Sequence, residues 1–289
     1  MAWKNPQYLV ETDWLAAHLD DPALRVLECT TILHPRPDGG YKAESGRATW
    51  AAGHIPRSGF ADLTDDLCDR SSPLLYMMPS AEQLAQSMAR LGVGEGTRVV
   101  LYDRAVNMWA ARVWWMLRAV GFDQAAVLSG GWRKWTHENR PTSTEPCAYP
   151  PARFAPRPRP ELFVDKHAVL AGLGERATCV LNALTEERHR GTGGAPYWRP
   201  GRIAGSLNVP AQSLVDPATH AYLPADVLRE RFAEAGVLSA GRVITYCGAG
   251  IAASSDAFVL TLLGHGNIAV YDASLSEWAT DPSLPMETG

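Results

Sequence analysis

The stretch RVITYCGAGIAASSDAFVL, Arg242 to Leu260, decides the fold. A β-branched apolar run ends on Cys247, the small residues Gly248, Ala249 and Gly250 follow, and apolar residues then recur in a helical pattern. Short β-branched runs of this kind form buried parallel strands. Strand, small loop and helix in succession put Cys247 at a strand's carboxyl end, where open α/β sheets bind ligands. A helix N-terminus carries backbone N–H groups without intrahelical acceptors. Small residues let such amides converge on one point as an anion nest, and a thiolate there is stabilised by the amides and the helix dipole. The spacing nominates Cys247 as a nucleophile and Gly248, Ala249, Gly250, Ile251, Ala252 and Ala253 as its nest. On spacing alone, a chemically inert strand-end cysteine stands equally open.

The pattern occurs twice. GTRVVLYDRAVNMWAARVWW (Gly96 to Trp115) leads to VLSGGWRKW, as AGRVITYCGAGIAASSDAFV (Ala240 to Val259) leads to VYDASLSEW. Upstream stand matching turns, AAGHIPRSGFADL from Ala51 and RPGRIAGSLNVPA from Arg199. The repeat interval is roughly 145 residues, the size of a domain and not of a solenoid unit. Between the halves runs a proline-dense stretch, RPTSTEPCAYPPARFAPRPRP, expected to be extended. Alternating strands and helices predict α/β domains with mainly parallel sheets flanked by helices. The expected division is residues 1–139, a linker at 140–160, and residues 161–289. PSAEQLAQSMARLGV predicts a helix capped by Ser80 and stopped at Gly92.

Composition narrows the class. Of 289 residues, 46% are hydrophobic and 20% charged, ordinary for a globular chain, and the net charge of −4 comes without a basic block. Nucleic acid and membrane surfaces are therefore not expected as partners. The first twenty residues do not read as a signal peptide. Five cysteines, at 29, 68, 147, 179 and 247, form no CxxC pair, so neither a disulfide framework nor a zinc site is expected, and a reducing cytoplasmic location fits. Cys29 and Cys179 read as strand packing, and Trp114 and Trp115 as core or domain interface.

In order along the chain, GHIP, GRIAG, CGAGIAAS, SGGWRKW and YDASLSEW resemble the tandem rhodanese family of thiosulfate and 3-mercaptopyruvate sulfurtransferases. The resemblance spans the whole chain and implies two tandem rhodanese-like domains, the second catalytic. Cys247 would take a sulfane sulfur from a small anionic donor, hold it as a persulfide, and pass it to cyanide or to a small-molecule or protein thiol. No metal or organic cofactor is implied. In the first half the strand-end position is Asp103; a carboxylate cannot carry sulfur, so that domain should be silent and serve to complete the cleft. By resemblance, Arg188 binds the anionic donor, as paired guanidinium donors suit. Arg190 and Arg199 compete as the second arginine, Asp62 matches an acidic residue of the mercaptopyruvate branch, and Tyr197 and Trp198 are candidates to wall the cleft.

The chain departs from the family's pattern at several points. Gly248 and Ala249 replace the two cations of thiosulfate enzymes. Ala249 also stands where mercaptopyruvate enzymes carry serine, Tyr76 or a neighbour where they carry histidine, and Asn182 where the family has aspartate. The neutral loop leans towards a mercaptopyruvate donor. A carrier or binding module, loaded with sulfur by a partner protein and without free turnover, is the alternative. Phosphatase chemistry on this shape needs an arginine closing a Cys-x5-Arg loop, and Ala253 stands there.

Overall fold

In a computed structural model, residues 2–36, 40–194 and 197–289 are described. The first domain's sheet contains β1 (Leu9–Val10), β2 (Leu24–Glu28), β3 (Ser58–Phe60), β4 (Arg98–Tyr102) and β5 (Ala125–Leu128), all parallel, in the order β1-β5-β4-β2-β3. The second contains β6 (Phe163–Val164), β7 (Thr178–Asn182), β8 (Leu207–Asn208), β9 (Arg242–Tyr246) and β10 (Ile268–Tyr271), in the equivalent order β6-β10-β9-β7-β8 and again all parallel. These are the two tandem α/β domains read from the repeat. An antiparallel hairpin, Thr31–Pro35 with Tyr41–Ser45, projects from the first.

The duplication reaches single hydrogen bonds. Tyr102 Oη accepts from Ile55 N and meets Ser58 Oγ; Tyr246 Oη accepts from Ile203 N and meets Ser206 Oγ. Trp135 donates its indole N–H to Pro141 O at 2.8 Å, and Trp278 donates to Pro285 O at 3.0 Å.

Two helices, Met108–Ala119 and Ile251–Leu262, pack against each other between the domains. Each is buried nearly all round, because one face lies on its own sheet and the other on the partner helix. Trp114 meets Phe258 edge-on, with centroids 4.9 Å apart, so Trp114 is an interface residue. Residues 141–159 contain no helix or strand, as the prolines dictate. They lie along the first domain, with Tyr149 Oη accepting from Val26 N and donating to Arg57 O. The helix Ala81–Arg90 starts as read, with Ser80 Oγ accepting from Gln83 N, and Gly92 follows it at φ 77°.

Candidate active site

Strand β9 ends at Tyr246, Cys247 follows, and the next helix begins at Ile251 with Gly250 as its N-cap. Cys247 lines a cavity of about 190 Å³ between the domains. The second domain contributes Leu184, Arg188, Tyr197, Ala249, Ile251 and Ser276 to its wall. From the first domain come Leu33 and Tyr41 of the hairpin, Leu75 and Tyr76, and Met108 and Trp109 at the start of the interface helix. Trp109 is both packed, at 1% exposure, and part of this wall. A larger hollow of about 550 Å³, lined by Ala23, Arg98, Gln124 and Arg157, opens at the amino-terminal ends of the first sheet's strands, away from Cys247.

The sparse loop has two steric reasons. A Cβ on Gly248 would overlap the Tyr197 hydroxyl. Gly250 has φ 74°, the left-handed region that favours glycine, and a Cβ there would lie 2.7 Å from Asp272 O and 3.1 Å from Arg112 Nη1. Beneath the loop, Ser274 Oγ accepts from Cys247 N at 3.0 Å and Gly250 N at 3.2 Å, and donates to Tyr271 O at 2.7 Å. Gly250 N is therefore engaged by Ser274 and does not join a nest around sulfur, a correction to the reading of the loop as six free amides. The amides of Ile251, Ala252 and Ala253, in the first helical turn, have no intrahelical acceptor. Ser274 is fully buried at φ 51°, where the first domain has Gly131 at φ 47°. Its sequence context, YDASLSEW, drew attention to the motif and not to this hydroxyl.

The first domain displays such a nest filled. Asp103 Oδ1 accepts from Ala105 N and Asn107 N, and Oδ2 from Trp109 N and Ala110 N, at 2.8–3.2 Å. Aligning the left-handed N-caps Asn107 and Gly250 pairs Trp109 and Ala110 with Ala252 and Ala253. Burial pushes the Asp103 carboxyl up to about 6, against the pull of the four amides. The second domain covers this loop: Asn107 donates to His220 O, and His220 Nδ1 meets Ala105 O.

Arg188 lies on the short helix Glu186–His189, whose N-cap Thr185 accepts from Arg188 N. Its guanidinium donates to Tyr41 Oη, joining the domains across the cavity mouth. Of the three arginines considered, Arg188 lines the cavity and the other two do not. Arg199 donates to four backbone carbonyls, of Trp278, Ala279, Asp281 and Leu284, at 2.6–3.0 Å. That occupies its guanidinium as a cap on the Ser274–Trp278 helix, so the structure removes it from donor binding. Arg190 pairs with Glu186 at the exposed surface. Asp62 is also outside the cavity; its carboxylate accepts from Ser45 Oγ, Thr64 N and Thr64 Oγ1. Tyr197 walls the cleft as read, whereas Trp198 is 80% exposed. Asn182, in place of the family's aspartate, accepts from Leu184 N and meets His189 Nδ1, steadying the turn into the Arg188 helix.

Burial pushes the thiols of Cys29, Cys68, Cys147 and Cys179 up, the last to about 11. Those four are correspondingly poor nucleophiles.

A strand-end cysteine over a helix N-terminus, in the second of two like-built α/β domains, is the arrangement of a rhodanese, and the chain belongs to that family: the rhodanese-like domain matches residues 11–138 and again 184–281. Its relatives are sulfur-handling proteins. It is 31% identical over 301 residues to the sulfur carrier protein TtuD of Thermus thermophilus, covering 100% of this chain and 99% of that one. It is 30% identical to the 3-mercaptopyruvate sulfurtransferase of Escherichia coli over 97% of this chain and 98% of that one. The crystal structure of SseA from Escherichia coli, a 3-mercaptopyruvate sulfotransferase, superposes with a TM-score of 0.80 at 29% identity, covering 92% of this chain and 98% of that one. Among the described residues, no helix is long and apolar enough to cross a membrane.

Proposed function

We propose that this chain is a sulfurtransferase that carries sulfane sulfur on Cys247. The supporting observation is that Cys247 and Arg188 line one cavity between the domains. The thiolate attacks the outer sulfur of the donor, forming an S–S bond. The donor's bond to that sulfur breaks, and its electron pair leaves on sulfite or, from 3-mercaptopyruvate, on the enolate that becomes pyruvate. A thiophilic acceptor then attacks the outer sulfur and returns the thiolate. Thiolate and persulfide are both anions at one place, so preorganised amides stabilise each without rearrangement.

The wall favours a monoanion. Among the described residues one arginine, Arg188, lines the cavity, and no cation follows Cys247 at Gly248 or Ala249. A dianion would carry one uncompensated charge into an apolar, aromatic pocket, which is costly. We therefore rank 3-mercaptopyruvate ahead of thiosulfate. The first domain is silent in this reading, since Asp103 holds its nest. Five free thiols fit a reducing, cytoplasmic setting.

The likeness to a sulfur carrier supports a second reading, a module loaded and unloaded by partner proteins. Steady-state assay with each free donor and cyanide separates the two. An enzyme turns over many times; a carrier takes one sulfur and stops.

A further inference from the structure

We infer that Tyr76, contributed by the first domain, is a donor-binding residue, its hydroxyl donating a hydrogen bond to an oxygen of the sulfur donor while Arg188 meets the donor's anionic end. This assignment rests on the sulfur-transfer reading above and names a specificity determinant of the same site.

Tyr76 lines the Cys247 cavity and is 5% exposed, with its ring edge-on to Trp109 at 5.4 Å. Its hydroxyl is buried and has no hydrogen-bond partner among the described residues. An unpartnered buried hydroxyl costs about 1–3 kcal/mol, so its retention calls for a partner that arrives later. Burial pushes the phenol well above its ordinary range, with Tyr197 and Cys68 adding to the effect, so the group stays protonated and able to donate. Leu75 and Tyr76 also separate the cavity from a neighbouring hollow beside Cys68 and Asp69.

The backbone holds this side chain in place at a cost. Tyr76 has φ 63°, a region a bulky residue adopts only when its surroundings impose it. Arg112 imposes it. This fully buried arginine of the first domain donates from Nη2 to Tyr76 O at 2.7 Å. Its Nη1 pairs with Asp272 Oδ1 of the second domain at 2.6 Å, and Asp272 Oδ2 accepts from Met78 N at 2.7 Å. A strut from the end of β10 through Arg112 thus fixes residues 76 to 78 against the Cys247 loop, where Gly250 leaves room for the guanidinium. Tyr76 is set from both domains, as expected of a group whose position relative to Cys247 matters.

Tyr76→Phe deletes only the unpartnered oxygen. Turnover with 3-mercaptopyruvate and with thiosulfate would be measured beside a thermal melt of each protein. The expected result is a KM raised up to about tenfold for the preferred donor, the scale of one hydrogen bond, with kcat changed far less and a melting temperature equal to or above wild type. An unchanged KM overturns the assignment. So does a lowered melting temperature, which would mean the hydroxyl already has a structural partner. A wild type that takes sulfur from neither donor removes the sulfur-transfer reading itself; a wild type that does, matched by Tyr76→Phe, removes only the role of Tyr76.

Discussion

Replacing Ser274 by alanine tests whether a single hydroxyl shapes the Cys247 loop. That hydroxyl makes three buried hydrogen bonds, two received from the amides of Cys247 and Gly250 and one donated to Tyr271 O. Ser274→Ala leaves both amides unsatisfied in the interior, and at about 1–3 kcal/mol for each such group the loss should come to about 2–4 kcal/mol after partial relaxation. For a chain of this size each kcal/mol lowers the melting temperature by roughly 2–4 °C, so a fall of about 4–16 °C is expected. Freed to rotate, the two amides no longer fix the loop, and sulfur loading should slow about tenfold or more, approaching the effect of losing an oxyanion-hole donor. Ser274→Gly supplies an internal comparison. It loses the same hydroxyl but suits φ 51°, as Gly131 suits φ 47° in the first domain. The glycine variant should be more stable than the alanine variant by roughly 0.5–1 kcal/mol, and so melt higher, relief of left-handed strain outweighing chain entropy. The assays are calorimetry and time-resolved intact-mass measurement of the persulfide. An alanine variant that melts with wild type and loads at the same rate would refute the reasoning.

Arg188→Ala should raise the donor concentration needed for half-saturation about tenfold to a hundredfold, the loss of a charge-assisted hydrogen bond of about 1.5–3 kcal/mol, with little change in the melt; an unaltered titration ends that role. Ala249→Lys, which leaves Gly248 clear for Tyr197, should shift the ratio of donor efficiencies towards thiosulfate, read from kcat/KM for both donors. Alkylation with iodoacetamide at neutral pH, followed by peptide mapping, should modify Cys247 before Cys29, Cys68, Cys147 or Cys179, because Cys247 lines the cavity between the domains. Asp103→Cys should accept no sulfur, since His220 and its neighbours cover that loop; a persulfide there, detected by mass, would show that the carboxylate alone silences the first domain.

The parts of this site that were legible in the sequence are those carried by short-range pattern. The β-branched run before Cys247, the small loop and the helix after it predict a strand-end thiol without further help, and the repeat of that pattern gives two domains. Ser80 and the prolines after Arg140 act through their own neighbours and behave as read. What was not legible arises where distant segments meet. Tyr41 reaches the cavity on a hairpin, and Tyr76 is held by an arginine 36 positions on, itself paired across the domain boundary. Arg199 and Asp62 show the converse. A loop arginine looks the same in sequence whether it faces a ligand or four carbonyls, and an aspartate beside a threonine reads the same whether its carboxylate is free or capping a turn. The Ser274 contribution was visible only as a serine opposite Gly131 in the repeat, a pairing that acquires meaning once both are seen at positive φ.

Intact-mass spectrometry of the wild type and of Cys247→Ser, after separate incubation with 3-mercaptopyruvate and with thiosulfate, tests the central claim most directly. The expected result is one added sulfur on the wild type, mapped to Cys247 and faster from 3-mercaptopyruvate, and none on a serine variant that still melts as wild type does. A wild type that gains no sulfur from either donor, or a serine variant that gains as much, would contradict the account.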